Sequence, residues 1–204
     1  MSDRDYAQIV SDESIEATKQ ALETRGFTVD IVTDLLAAKT KVTEIIPEGS
    51  DIFTATSVTL DKAGLTEELN SDKYISVRNK FMPLYGQPDK ALEMRSIGSV
   101  SDYAVGSVQA VTEDGQVLAA SATGSQLPNY VYGANHVIWV VGAQKIVKDL
   151  AEAMDRLETH VFPLEDERAQ AAYGVNSVIS KILIYRQDPQ KRVHLIIVKE
   201  AAGF

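Results

Sequence analysis

The chain has 204 residues, 45% of them hydrophobic and 24% charged, enough to bury one substantial core and short of what several domains require. Its 29 acidic against 20 basic residues give a formal net charge of −9; no lysine or arginine run offsets it locally, which argues against nucleic acid and anionic membrane as partners. Cysteine is absent, which excludes disulfides, thiolate zinc sites, iron–sulfur ligation and a cysteine nucleophile within this chain.

The N-terminal stretch MSDRDYAQIVSDES is polar and acidic, without the apolar core of a signal peptide, and the longest apolar run, VIWVV, is far below a membrane span. A soluble, cytoplasmic single domain over 1–204 is expected, with 1–34 as its N-terminal helix and strand region. Ser11 before Asp12 and Glu13 predicts a helix start, with Ile15 and Leu22 on one face and Gly26 as its stop. Phe27 to Val32 alternates as a strand, and Thr33 is placed to cap a second helix that carries Leu35, Val42 and Ile46 on one stripe. Asp51 to Thr54 is a short strand, followed by a helix from about Thr59 to Leu69. Tyr74 to Val77 is a weaker strand. Arg78 to Pro88 reads as a loop and Asp89 to Ile97 as a helix.

From Tyr103 the pattern turns β-prone. Tyr103 to Thr112 and Gln116 to Ser121 flank Glu113-Asp114-Gly115, a turn with the Asp-Gly pair that hairpins favour. A short helix after Thr123-Gly124-Ser125 should stop at Gly133. Val137 to Val141 is apolar throughout, as in a strand covered on both faces. Helical spacing returns over Lys148 to Glu158 and Leu164 to Tyr173. Two β-prone segments, Lys181 to Arg186 and Val193 to Lys199, are joined by the turn Gln187 to Gln190. The alternation predicts an α/β layered domain, with a mainly parallel sheet, helices on both of its faces and an antiparallel hairpin.

In such sheets ligands bind beyond the carboxyl ends of the strands, where loops and helix N-termini converge. Three loops qualify. Ser57 and Thr59 follow the strand at Ile52, Thr123, Gly124 and Ser125 follow the strand at Leu118, and Gly142, Gln144 and Lys145 follow VIWVV. The hydroxyls can contact a ligand or simply cap helices. Lys145 can clamp a phosphate or carboxylate as a point charge, or lie in solvent. Glu113, at a tight turn, is a candidate general base or nucleophile, or an ordinary acidic turn residue. His136, His160 and His194 are isolated, so no protein-held metal is expected, and neither Walker nor dinucleotide-binding glycine spacing is present.

The words VTEDGQVLAASATGSQL, YGANHVIWVVGAQKIVKDL, FPLEDERAQAAYGVNS and VHLIIVKEAAGF, in that order, resemble the LUD domain family of the LutC and YkgG proteins, named for lactate utilisation. The resemblance implies a fold of the NagB/RpiA/CoA-transferase-like type. It also implies a role in lactate or related organic-acid utilisation, with a small anionic organic acid, acyl-CoA or phosphorylated metabolite as ligand. Iron–sulfur oxidoreductase subunits, and a second copy of the chain in a homodimer, are the implied protein partners. Many relatives read Asp-Gly-Thr-Gly-Asn-Arg where this chain has Ser121 to Gln126, which removes an acid and a base together. Thr112-Glu113-Asp114-Gly115 is similar to the Ser-Glu-Asn-Gly word of family I CoA-transferases, whose glutamate attacks an acyl-CoA. That likeness implies the alternative of a stand-alone acyl-CoA transferase or sugar-phosphate enzyme acting through Glu113.

Overall fold

A computed structural model describes residues 4–204. The chain begins with α1 (Asp12–Thr24), capped by the Ser11 side chain, then β1 (Thr28–Val32) and α2 (Leu35–Ile45). The cap of α2 is Asp34 rather than Thr33: its carboxylate accepts from Ala37 N at 2.8 Å, a charge-assisted cap at the positive end of the helix. Next come β2 (Asp51–Thr54), α3 (Val58–Lys62), α4 (Leu65–Leu69) and β3 (Ile75–Ser76). The single helix expected after Thr59 is thus two, broken at Gly64 in the left-handed region. The expected loop from Arg78 contains α5 (Val77–Phe81) and precedes α6 (Ala91–Gly98).

The segment Tyr103 to Thr112 is not one strand. It divides into β4 (Ser101–Gly106) and β5 (Ala110–Thr112), which lie in different sheets. β6 (Val117–Ser121), β7 (Ala134–Gly142) and β8 (Ile146–Val147) follow. Then α7 (Leu150–Arg156) runs through a π turn, Leu157–Val161, into α8 (Phe162–Tyr173). β9 (Lys181–Tyr185) and β10 (Val193–Val198) end the ordered elements.

Six strands in the order β1-β10-β7-β4-β2-β3, parallel throughout, form the central sheet. A second sheet, β8-β5-β6-β9, pairs β5 with β6 and β6 with β9 antiparallel, and β5 with β8 parallel. The expected hairpin is therefore present at β5–β6, in a sheet of its own. β9 and β10, neighbours in sequence, separate between the two sheets. Their composition explains this: five of the six residues of VHLIIV are buried, so β10 needs cover on both faces and takes an interior place in the parallel sheet.

Period-two alternation sorts the core into layers. Ile52, Val105, Ile138, Val140 and Ile196 face α2, α3 and α4. Phe53, Ala104, Val137, Trp139 and Leu195 face the other way, against α1 and the second sheet's Val111, Val117 and Ile146. The outer face of the second sheet, with Ala110, Leu118 and Ala120, is covered by Ala153, Leu157 and Val161. Trp139, fully buried, holds the two sheets together, meeting Tyr130 at 5.3 Å and Tyr185 at 5.4 Å, both edge-on, the geometry that aromatic quadrupoles favour.

Gly106 ends β4 directly beneath Tyr130, and a Cβ there would fall inside the contact distance of the buried tyrosine hydroxyl and press on Ala55. Gly106→Ala should cost about 1–3 kcal/mol by overpacking. Urea unfolding should show this as a lower midpoint at unchanged slope; an unchanged midpoint would mean that Tyr130 yields freely.

Candidate functional site

The strand order places a topological switch between β2 and β4. The connection leaving β2 runs through α3 and α4 on one face, whereas the one leaving β4 enters the second sheet on the other. Connections that part in this way leave a crevice at the carboxyl ends of the strands. A cavity of about 320 Å³ lies there, lined by Thr54 to Thr59 from the end of β2 onward, Ser107 to Gln109 after β4 and Ser121 to Thr123 from the end of β6 onward, with Lys145 at its wall. The size suits a small metabolite.

Of the residues expected from sequence, Ser57, Thr59, Thr123, Ser125 and Lys145 meet at this cavity. Ser57 also caps α3, accepting from Leu60 N at 3.4 Å. The remaining four lie elsewhere. Gly142 leaves no room for a Cβ because Glu200 O and the Ala202 backbone pass against it. Gln144 clamps the same segment, donating to Ala202 O at 3.1 Å and accepting from Ala202 N at 3.2 Å, so it holds the chain's own backbone. Gly124, at φ +86°, is the turn residue between two lining hydroxyls. Glu113 accepts a hydrogen bond from the Ser14 hydroxyl and borders a separate, open pocket with Arg4 and Gln8. Separation of Glu113 from the cavity leaves the transferase-like reading without its nucleophile there.

Lys145 is 3% exposed. Its Nζ donates to Ser107 Oγ at 3.0 Å, Thr59 Oγ1 at 3.1 Å and Val108 O at 3.2 Å. Both hydroxyls commit their own hydrogens elsewhere, Thr59 to Ala202 O at 3.0 Å and Ser107 to Val140 O at 2.7 Å. Among the described residues no carboxylate forms an ion pair with Lys145. Burial holds its ammonium well below the ordinary lysine value, and repulsion from Arg156 and Lys62 adds to this. Two demands oppose one another. Three acceptors ask for three N–H groups, while desolvation of an unpaired charge favours the neutral amine.

Arg156 makes the local charge more positive. It is fully buried, its Nη1 donates to Gln109 O, its guanidinium lies 6.0 Å from the centre of the Tyr6 ring, and its Nε and Nη2 have no hydrogen-bond partner. Burial, then the nearby Arg4, pushes it down to about 10, which leaves it a cation at neutral pH. At the cavity wall Arg78 donates to Thr56 Oγ1 at 3.0 Å and has no carboxylate partner among the described residues. The lining acids are engaged: Asp61 accepts from Thr66 at 2.6 Å, and Glu165 holds Arg168 through two bonds of 2.7 Å. Thr54 Oγ1, buried at the cavity, has no partner. An acidic protein thus places Arg78 at the wall of this space, and Arg156 beside the lining residue Gln109, with no carboxylate paired to either among the described residues.

Sequence reasoning passed over Thr54, Ser107, Gln109, Arg78 and Arg156. A signal existed for Ser107, since the glycine before it in a β-prone run marks a bend or a close approach. For Arg156 none existed, because on a helix it reads as a surface residue.

Comparison with known proteins agrees with this architecture. The LUD domain model matches residues 15–198. The chain belongs to the LUD domain family. The LUD chain is also similar in structure to a crystallised DUF162 family protein from Deinococcus radiodurans, with a TM-score of 0.56 at 11% identity, covering 93% of this chain and 99% of that one. No curated protein matches its sequence. Among the described residues of this LUD protein no helix is long and apolar enough to cross a membrane, and no three His, Cys, Asp or Glu side chains gather as a metal site.

The depressed Lys145 predicts a pH dependence of stability. Between its folded value and 10.5 the unfolded chain binds more protons than the folded one, so the contribution of Lys145 to stability rises with pH there. Relative to Lys145→Met, the wild type should gain up to about 1.4 kcal/mol per pH unit across that window. Paired urea titrations from neutral to alkaline pH should show the stability of the wild type minus that of Lys145→Met rising with pH; a constant difference would mean that Lys145 titrates normally.

Proposed function

We propose that this LUD-domain protein binds a small carboxylate of the lactate or pyruvate type in the cavity beyond β2 and β4. In this reading it serves organic-acid utilisation as the substrate-binding component beside iron–sulfur oxidoreductase subunits. The observation that supports it is Lys145, a buried amine that faces three acceptors and lacks a carboxylate.

A buried unpaired charge costs several kcal/mol. An anion entering the cavity offsets that cost, since it supplies the counter-charge the fold withholds. Arg78, free of carboxylates at the wall, offers the ligand a direct cationic contact with the fork geometry that carboxylates fit. Arg156 adds to the field from behind Gln109. The lining hydroxyls of Ser57, Thr123 and Ser125 are suited to a hydroxy or oxo substituent.

Because Lys145 binds its proton weakly in the empty cavity, the anion and a proton should enter together. Affinity for lactate or pyruvate should therefore fall with rising pH, by up to about tenfold per unit. A thermal-shift and calorimetric series with lactate, pyruvate, CoA esters and sugar phosphates checks this. A ligand at a hundred times its Kd should stabilise the fold by about 2.7 kcal/mol, and Lys145→Met should abolish the response. Failure of every anion to shift the wild type would refute the reading.

A further inference from the structure

Lys145 has two hydroxyl neighbours of different standing. Thr59 is 1% exposed and its oxygen is tied to the Ala202 backbone. Ser107 is half-buried, lines the cavity, and holds its Oγ 3.0 Å from Nζ. With Ser107 Oγ, Thr59 Oγ1 and Val108 O around it, and Cε as the fourth neighbour, every tetrahedral direction of Nζ is taken. No direction remains for a bond from Nζ to a ligand carbon. Ser107, half-buried and on the cavity lining, is the member of the pair left to meet a carbonyl.

We infer that Ser107 is a nucleophile and Lys145 its general base, transferring the acyl group of an ester or thioester of a small organic acid to Ser107 and then to water. Serine–lysine pairs are an established variant of nucleophile and base, and need a lysine that is not held protonated by a carboxylate. This lysine meets that requirement. Its burial favours the neutral amine, and rotation about the Ser107 Cβ–Oγ bond redirects the hydroxyl hydrogen from Val140 O to Nζ.

In the first half, the Oγ–H proton passes to Nζ as Oγ attacks the acyl carbon. The bond from that carbon to the leaving oxygen or sulfur then breaks, and Nζ returns the proton to the leaving group, which departs as an alcohol or thiol. In the second half, water gives a proton to Nζ and attacks the acyl-serine. The carbon–Oγ bond breaks, Oγ recovers the proton, and a carboxylic acid is released. No electrons change hands, and the ammonium formed beside Oγ offsets the developing oxyanion. The acid released is the kind of ligand proposed above, so this inference rests on the same cavity as its site and makes that ligand a product.

The probe is p-nitrophenyl hemisuccinate, an activated ester with a free carboxylate. Wild-type protein should release nitrophenol in a burst and carry a succinyl adduct on the peptide containing Ser107, with a rate that rises through one ionisation below 10.5. Ser107→Ala and Lys145→Met should each lose at least about 100-fold in that rate. An adduct on Lys145 or elsewhere, no adduct, or one undiminished in Ser107→Ala would overturn the inference. Should Ser107→Ala fail to fold by circular dichroism, the peptide map of the wild type decides alone. Calorimetry with lactate and pyruvate separates the two readings: acid binding without acylation removes only the acyl transfer, and acylation without acid binding removes only the free-acid ligand.

Discussion

One amine joins the loops that follow two strands of the central sheet. Lys145 reaches Thr59, beyond β2, and Ser107 and Val108, beyond β4, from a position beyond β7. Those loops diverge on leaving the sheet, and one amine within hydrogen-bond reach of three oxygens is a compact way to draw them back to one point. The cost is an ionisable amine taken out of water with no carboxylate beside it. A fold that needed only a strut could have used an apolar side chain, which buried ion sites commonly tolerate. Retention of an amine here is thus better explained by what occupies the cavity than by what supports the sheet.

The second sheet makes that burial possible. Packed on the inner face of the central sheet through Trp139, Tyr130 and Tyr185, it covers the crevice that an open parallel sheet leaves to solvent. The chain passes from one sheet to the other at Ser107 to Gln109, and the crossing turns Ser107 and the Val108 carbonyl toward Lys145. Architecture and site are in this sense one feature. Electrostatics follows the same division, with the excess of acidic residues elsewhere, Arg78 and the amine of Lys145 at the cavity wall, and Arg156 bonded to the carbonyl of Gln109, which lines it. Such an arrangement concentrates small anions where low dielectric makes each contact count.

Much of this was legible along the chain. VIWVV is apolar at successive positions, the pattern of a strand covered on both faces, and it is an interior strand of the parallel sheet. The loops after strands named Ser57, Thr59, Thr123, Ser125 and Lys145, because the carboxyl edge of a parallel sheet is where loops converge whatever their sequence. The same rule named Gly142 and Gln144, yet these serve the backbone of residues 200–203. Local pattern does not distinguish a polar group that meets a ligand from one that meets a distant strand of the same chain. Glu113 shows the reverse limit, a turn whose residues match a catalytic word while the turn itself borders another pocket.

The sequence alone determined the class of the fold, the positions of most helices and strands, and the absence of thiolate chemistry, because each follows from composition or from periodicities that act over a few residues; the family was legible in the order of its sequence words. Tertiary structure alone decided that β4 and β5 belong to different sheets, that Arg156 is buried, and that Ser107 stands beside Lys145. The last two depend on contacts between residues 47 and 38 positions apart, the first on strand pairings such as Phe53 with Ala104 and Val111 with Ile146, and no local energetic preference encodes a meeting at such range.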